Sequence, residues 1–454
     1  VSDALRRSSY TVDAVAALDL ADLDGLSPPA TLVRLFVRGE PLDAEAVARV
    51  LPLADAAPLL TRSGGTVRAA YDVSPHADGT HDWWVVSDRT DPGGRPVRRD
   101  HVLGVGSAAM TLAQLTVRRP VARALDVGTG SGVLALHLAG HVDTVTATDS
   151  VPRALSLAAT TAALSGVSIE LLEGDLVTPV ADREFDLVVC NPPFVVGPGA
   201  RFDYRDGGLP GDELSRRAVR ACASVLADGG VAQLLVNWLH VDGEDWRDRV
   251  SSWVSDLGVD AWLIERDQER PAGYVATWLD DAGESADVEL RERWLRWFET
   301  ERINAVGFGW VVLRRGGSPH RLAIESVLHP VDQPLGPHIA GWLDRTEWLR
   351  GRDDDALLGA ALHAAPGVRL DTAATVGDSG WEPTASMLRL DEGFRWTVPT
   401  DDASAALVAG SDGTHRLADL VDVLAVATGI PADTLASPVC ASVRALVDRG
   451  ILLP

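Results

Sequence analysis

The strongest constraint on the fold is a short apolar segment, residues 122–127, that leads into a loop with glycine at every second position. The loop contains Gly128, Gly130 and Gly132, and a helical run at residues 134–138 follows it. Glycines let the backbone pass close to a ligand where a Cβ would clash, and the start of the helix offers free N–H groups. This order predicts a ligand-binding turn in an open α/β sheet.

Around this turn, segments typical of strands alternate with segments typical of helices from about residue 100 to 315. Such alternation predicts a mostly parallel sheet with helices on its faces. The last two strands are expected to pair antiparallel at the edge of the sheet. Seven strands are expected, at residues 122–127, 144–148, 168–173, 185–190, 229–238, 260–265 and 307–313.

Acidic residues follow two of these strands. Asp149 comes one strand–helix unit after Asp126, and a carboxylate at that tip can accept both ribose hydroxyls of an adenosyl group. Asp175 follows the third strand, where it can accept from the exocyclic amine of adenine. The dinucleotide motif G-x-G-x-x-G is the competing interpretation, but Val133 stands where that motif requires its third glycine. The pattern therefore favours a different adenosyl cofactor.

The fourth strand ends in Asn191-Pro192-Pro193-Phe194. A planar amide or amine nitrogen is a poor nucleophile because its lone pair is delocalised. The side-chain oxygen of Asn191 and the carbonyl of Pro192 can accept hydrogen bonds from its two N–H groups. The nitrogen lone pair can then point toward a methyl group and attack it. The prolines fix the shape of the turn, and Phe194 offers a flat apolar face for stacking. A rigid turn without chemistry is the alternative.

Together these motifs resemble the class I S-adenosylmethionine-dependent methyltransferases of the Asn-Pro-Pro-Tyr/Phe group. That group includes HemK-type protein-glutamine, rRNA guanine-N2 and adenine-N6 methyltransferases. The resemblance covers roughly residues 100–240 and implies a Rossmann-like core, S-adenosylmethionine as cofactor, no metal, and methylation of a planar nitrogen. It implies catalytic roles for Asn191, Pro192, Pro193 and Phe194. It implies cofactor contacts from Asp126, Gly128, Thr129, Gly130, Gly132, Asp149, Ser150, Gly174, Asp175, Leu176 and Asn191.

The resemblance does not choose the acceptor. HemK-type proteins carry a Pro-Arg-x-Glu-Thr/Ser-Glu signature that residues 104–114 lack. The net charge of −24 repels nucleic-acid phosphates, so RNA binding would need a local arginine patch. We weigh the missing signature more heavily, which slightly favours an amino group on an rRNA or tRNA base over a glutamine of a translation-related protein. Candidate phosphate contacts are Arg98, Arg99, Arg118, Arg119, Arg201, Arg205, Arg216, Arg217, Arg314 and Arg315.

Three domains are expected: a winged-helix-like domain at 1–95, the methyltransferase domain at 96–316 and an α+β domain at 317–454. The first should contain helices at 11–18, 30–37 and 43–50, the last capped by Asp43, and a wing formed by strands 66–73 and 82–87. The third should contain strands at 386–390 and 394–398 and helices near 416–427 and 438–449, with a winged-helix-like end. Residues 91–96 are expected to be a linker, and 197–210 a substrate lid.

A regulatory or scaffolding protein that only senses the cofactor is the alternative of another class, because winged modules bind proteins as well as nucleic acids. Cys190, Cys222 and Cys440 are expected to be buried thiols. The sequence shows no apolar run of 18 residues and no secretory signal, which predicts a cytoplasmic protein that does not enter a membrane. The oligomeric state stays open.

Overall fold

The computed structural model describes residues 1–19, 25, 27–89, 98–193, 195–197, 209–281, 283–378 and 380–454. The chain divides into two compact units. The first comprises Val1–Ala113, Arg118–Gly316 and Leu322–Ser326, and the second comprises Gln114–Val117, Gly317–Arg321 and Val327–Pro454. The division into three domains at residues 95 and 316 stays a prediction.

The N-terminal part of the first unit begins with short helices and continues with two small sheets. Asp43 caps α4 as expected, because its Oδ1 accepts from the N–H groups of Glu45 and Ala46 at 3.0 and 3.1 Å. Strand β3 lies between β1 and β2, and β4 pairs with β5. The elements are α1 Ser2–Arg7, α2 Val12–Ala16, α3 Pro28–Leu32 with a π-helical turn Val33–Val37, β1 Leu42–Asp43, α4 Ala44–Ala48, β2 Leu60–Ser63, β3 Thr66–Ala69, β4 Asp72–Ala77 and β5 Asp82–Ser87.

The expected wing is wrong in its pairing. Thr66 pairs with Ser63 through a tight turn at Gly64 and Gly65, and Gly64 has φ +58°. The chain bends after Ala69, so that β4 rather than β3 pairs with β5. Two adjacent glycines between short strands favour a hairpin, and this hairpin takes β3 away from the expected wing. The winged-helix assignment stays a prediction, and the expected linker lies outside the described residues.

The β4–β5 hairpin is packed against the central part of the same unit. Strand β5 lies beside the helix at residues 152–165, where the Val86 N–H donates to Thr161 Oγ1 at 2.9 Å. Trp84 is almost fully buried, and its N–H donates to Ser165 Oγ at 3.1 Å. These backbone-to-side-chain bonds fix the hairpin to the helix in one register.

The central sheet is mostly parallel, as expected, but it has eight strands rather than seven. Leu322–Ser326 adds an edge strand parallel to β11, so the antiparallel pair β11–β12 does not lie at the edge. This strand has only five residues, too few for its apolar residues to show a periodic pattern. In the order β13-β11-β12-β10-β9-β6-β7-β8, the strands are β6 Val121–Val127, β7 Val142–Asp149, β8 Glu170–Glu173, β9 Phe185–Cys190, β10 Leu226–Val241, β11 Asp260–Glu269, β12 Ile303–Arg314 and β13 Leu322–Ser326.

Helices alternate with the strands of this sheet along much of the chain. Two of them, α10 and α11, are inserted between β11 and β12 and contact each other. The helices are α5 Ser107–Leu115, α6 Val133–Ala139, α7 Pro152–Ser165, α8 Glu213–Ser224, α9 Trp246–Val254, α10 Pro271–Asp281 and α11 Val288–Thr300.

The second unit is an α+β structure with two small sheets, ordered β18-β14-β19 and β15-β16-β17. The expected strand at 394–398 begins only at Thr397, because residues 391–396 turn back and the Leu390 N–H donates to the carbonyl of Trp396. The last helix begins before Pro438, which lies inside it. The elements are α12 Gly336–Leu349, α13 Asp354–Leu358, β14 Ala361–Ala364, β15 Arg369–Gly377, β16 Gly380–Arg389, β17 Thr397–Thr400, α14 Asp402–Gly410, β18 Asp412–Arg416, α15 Leu417–Thr428, α16 Ala432–Arg449 and β19 Leu452–Leu453.

Across the residues that the structure describes, no helix combines the length and the apolar character needed to cross a bilayer.

Candidate functional site

The loops that follow the carboxyl ends of β6, β7, β8 and β9 surround one cavity of about 590 Å³. This volume is in the range of sites for small molecules and cofactors. Among the expected site residues, those that line the cavity are Gly128, Thr129, Gly130, Asp149, Ser150, Gly174, Asp175, Leu176, Asn191, Pro192 and Pro193. The structure therefore brings together segments that lie up to 65 residues apart in the chain.

The glycine loop needs glycine for two different reasons. Gly128 and Gly130 have φ of +75° and +56°, and a Cβ on either would meet no atom within 4 Å. These positions therefore require a left-handed backbone. At Gly132, which also has a positive φ, a Cβ would lie 3.3 Å from the Cβ of Ala158 in α7. The third glycine therefore allows close packing against α7.

Asp149 links three of the loops. Its Oδ2 accepts from the Gly130 N–H and its Oδ1 from the Val151 N–H, both at 2.9 Å. Its main-chain carbonyl accepts from the Gly174 N–H at 3.0 Å. Burial raises the pKa of this carboxyl, while the hydrogen bonds from the backbone favour its charged form. Each oxygen keeps a further lone pair for a ligand hydroxyl.

Asp126 lies behind the glycine loop and is fully buried, outside the set of residues that line the cavity. Its Oδ2 accepts from Thr129 Oγ1 at 2.7 Å and from the Ala135 N–H at 3.1 Å. Within the described parts of the chain, Oδ1 has no hydrogen-bond partner. Asp126 thus fixes the shape of the loop from behind.

Burial raises the pKa of Asp126 to about 7, from 3.8. Between pH 4 and 7 the carboxyl of Asp126 is protonated in the folded state but ionised in the unfolded state. The free energy of unfolding therefore falls as pH rises from about 4 to about 7. We expect Asp126→Asn to gain stability relative to the parent protein over this range, by at most about 1.4 kcal/mol per pH unit. Urea unfolding of both proteins at pH 4 to 8 measures this difference, and a difference independent of pH would contradict it.

Asn191 follows β9 and faces the same cavity. Its side-chain oxygen is buried and has no hydrogen-bond partner among the residues with a described placement. A buried acceptor left unpaired costs about 1–3 kcal/mol, so a ligand that brings an N–H donor gains by binding here. Phe194 and most of the expected lid, residues 198–208, lie outside the described residues.

One side of the cavity was expected from the sequence only at its two ends, at Arg99 as a candidate phosphate contact and at Gly104, where the segment compared with the HemK-type signature begins. Residues 99–104 line it, and the Val102 N–H donates to Asp88 Oδ2 at 3.0 Å. Asp88 also accepts from Arg153, which begins α7 with Pro152. This segment has no periodic pattern and no motif, so only its contacts in the fold reveal it.

Asp175 has a partner that the sequence did not indicate. Its Oδ2 accepts from Arg217 of α8 at 2.8 Å. The side chain is still largely exposed, so it retains capacity for a second donor.

The site offers acceptors, open backbone and apolar walls rather than metal ligands. In the part of the chain that the structure describes, no three His, Cys, Asp or Glu side chains are grouped to hold a metal ion. Cys190, Cys222 and Cys440 are buried free thiols, as expected. The glycine loop and the fixed carboxylate at the tip of β7 fit an adenosyl cofactor. The buried amide oxygen of Asn191, which has no partner among the described residues, fits a neighbouring group that donates hydrogen bonds from N–H.

Comparison with known proteins agrees with a site for an adenosyl cofactor. Residues 102–238 match the model of the family described as methyltransferase small domain, and residues 340–454 match a domain of unknown function, DUF7782. The release factor glutamine methyltransferase of Deinococcus radiodurans is 40% identical over 156 residues, which are 32% of this chain and 56% of that protein. The ribosomal protein uL3 glutamine methyltransferase of Bradyrhizobium diazoefficiens is 35% identical over 146 residues, 29% of this chain and 45% of that protein.

The chain thus spans about half the length of the curated relatives it matches. A solved 16S rRNA N2 G1207 methyltransferase of T. thermophilus, in complex with AdoMet and guanosine, aligns at 17% identity and a TM-score of 0.30 over 53% of this chain and 67% of that one. By the sequence match, residues 102–238 are similar to the methyltransferase small domain, and they belong to a mostly parallel, Rossmann-like sheet.

Proposed function

We propose that this chain is an S-adenosylmethionine-dependent N-methyltransferase whose acceptor is the side-chain amide of a glutamine in a translation-related protein. The observation that carries the proposal is the buried Asn191 oxygen, unpaired among the described residues, in the cavity that also contains the glycine loop. The curated relatives described above are named as glutamine methyltransferases of a release factor and a ribosomal protein.

In this proposal, the cofactor lies along the tips of β6, β7 and β8. Gly128 and Gly130 let the cofactor approach the backbone closely, and Asp149 accepts hydrogen bonds from its ribose hydroxyls. Asp175, Leu176 and Ser150 contact the adenosine half. Asp126 and Gly132 support the loop without touching the cofactor. S-adenosylmethionine, when bound, supplies a methyl group activated by its sulfonium.

Asn191 and Pro192 prepare the acceptor. The Asn191 Oδ1 and the Pro192 carbonyl each accept a hydrogen bond from one N–H of a planar –NH₂ group. These two hydrogen bonds orient the nitrogen and stabilise the positive charge that develops on it while its bond to the methyl carbon forms and the carbon–sulfur bond breaks. The nitrogen then loses one of its two protons to solvent, which leaves a neutral N-methyl amide. Because Pro192 and Pro193 have fixed φ angles, the acceptors need little reorganisation during the reaction. A planar nitrogen held in this way requires no metal and no covalent intermediate.

The arginines favour a protein acceptor over RNA. Of the ten candidates for phosphate contacts, six face carboxylates of the protein itself: Arg98 with Asp100, Arg118 with Asp78, Arg216 with Glu213, Arg217 with Asp175, Arg314 with Asp260 and Arg315 with Glu184. Arg201 and Arg205 lie outside the described residues. Paired arginines on a chain with a net charge of −24 bind phosphates weakly.

The test is transfer of labelled methyl from S-adenosylmethionine into a cell lysate, followed by digestion with protease or RNase. We expect the label to survive RNase and to disappear with protease, and mass spectrometry of the labelled peptide to show a glutamine 14 Da heavier. Incorporation should change little between 50 and 200 mM salt, whereas binding through several phosphates would fall by orders of magnitude.

Label that survives protease and disappears with RNase would replace glutamine by an RNA base as the acceptor. Label in neither fraction, with the cofactor bound, would favour a regulator that senses the cofactor. Asn191→Ala assayed in parallel shows whether the incorporated label depends on this site.

A further inference from the structure

The chain beyond the Asn191 turn is packed against an insertion in the sheet. Val195 and Val196 are 6% and 1% exposed. They share a hydrophobic cluster with residues of α10, α11 and the strands beside them. The buried members of that cluster are Val195, Val196, Leu239, Tyr274, Val275, Leu279, Leu290, Trp294, Phe298, Ile303 and Val306.

Two consecutive residues are fixed by specific contacts with the insertion. The Val196 N–H donates to the Tyr274 hydroxyl at 2.7 Å, and both residues are buried. At Gly197, a Cβ would lie 3.0 Å from the indole of Trp294. The backbone therefore lies against α10 and α11 with no room for displacement toward them.

The ring of Tyr274 is itself held in place. It packs edge-on against Phe298 and Trp278, with ring centroids 5.8 and 6.0 Å apart, and it also contacts Phe308. Because the ring is packed on several sides, the position of its hydroxyl is fixed. The hydrogen bond to Val196 would therefore break if the backbone at Val196 moved away.

The turn needs such an anchor because of its own sequence. Pro192 and Pro193 have no N–H, so this part of the turn cannot donate backbone hydrogen bonds to a support. Their fixed φ angles also restrict the backbone of the two residues that follow Asn191. Val196 lies five residues after Asn191, so an anchor at Val196 limits how far the turn can move away from the insertion.

We propose that Tyr274 is a positioning residue for methyl transfer: through the Val196 N–H, it holds the Asn191-Pro192 acceptors where the substrate nitrogen binds. This inference rests on the proposed function. It makes the α10–α11 insertion part of the acceptor site, although it contributes no residue to the cofactor loops.

The test compares Tyr274→Phe with Tyr10→Phe. Both tyrosines are fully buried, and the hydroxyl of each is hydrogen-bonded to the backbone, that of Tyr10 to the carbonyl of Val73 at 2.8 Å. Tyr10 belongs to the N-terminal part, in a separate hydrophobic cluster. Each substitution removes one oxygen atom and keeps the ring, so losses of stability should be similar.

We expect Tyr274→Phe to lower methyl incorporation into lysate protein at saturating S-adenosylmethionine about tenfold, and Tyr10→Phe less than twofold. Affinity for S-adenosylhomocysteine, measured by calorimetry, should stay within twofold in both. Hydrogen exchange at the Val196 amide should become at least tenfold faster in Tyr274→Phe alone.

Incorporation by Tyr274→Phe within twofold of the parent protein would overturn the inference. So would a loss no larger than that of Tyr10→Phe. If the parent protein transfers no label at all, the proposed function fails by itself. Exchange at Val196 then decides the anchoring: an unchanged rate overturns it, and a faster rate in Tyr274→Phe alone supports it.

Discussion

Replacing Asn191 with alanine is expected to lower turnover about 100-fold or more while leaving affinity for S-adenosylmethionine nearly unchanged. Loss of one preorganised acceptor that acts on the developing charge has an effect of this size. The cofactor should bind as before, because the glycine loop and Asp149 remain intact. Steady-state incorporation of labelled methyl measures turnover, and calorimetry with S-adenosylhomocysteine measures the binding.

Asn304→Ala is the matched control for this experiment. Asn304 is an exposed asparagine of β12 whose amide donates to Asp242 at 2.8 Å. Its loss should leave both quantities unchanged. Turnover of Asn191→Ala close to that of the parent protein would remove Asn191 from the mechanism.

Asp149→Ala is expected to weaken binding of S-adenosylmethionine by about 1.5–3 kcal/mol, the contribution of a hydrogen bond to a charged group. That corresponds to a loss of affinity of about 10- to 150-fold. The carboxylate accepts the ribose hydroxyls in our proposal, and it also holds the Gly130 and Val151 N–H groups. The variant therefore loses a ligand contact and part of the loop geometry together.

Asp143→Ala tests whether this loss is specific, because Asp143 is an exposed residue at the opposite end of the same strand. It should bind the cofactor as tightly as the parent protein does. A dissociation constant of Asp149→Ala within twofold of that of the parent would show that Asp149 does not contact the cofactor.

The cofactor side of the site could be predicted because its signals are local. A buried strand, three alternate glycines and a helix occur within 18 residues, and parallel strands bring their carboxyl ends to one edge. The same local information does not distinguish Asp126 from Asp149. Burial behind the loop, which only the fold reveals, separates the residue that shapes the loop from the residue that lines the cavity.

The rest could not be predicted because it depends on contacts between distant segments. Tyr274 and Val196 are 78 residues apart in the chain, and nothing near either residue indicates the hydrogen bond. Strand β13 has only five residues, and nothing in them indicates that they pair with the distant strand β11. The Gly64-Gly65 turn, in contrast, is a local signal. The expected pairing of the N-terminal strands is wrong because the chain reverses at this turn and β3 pairs with β2.

A calorimetric titration tests the central claim most directly, because it requires no knowledge of the acceptor. We predict that S-adenosylmethionine and S-adenosylhomocysteine bind with a stoichiometry of one per chain, that each competes with the other, and that NAD gives no heat. Tight binding of NAD, or no binding of either S-adenosylmethionine or S-adenosylhomocysteine to the folded protein, would contradict the assignment of the β6, β7 and β8 tips as the cofactor site of a methyltransferase.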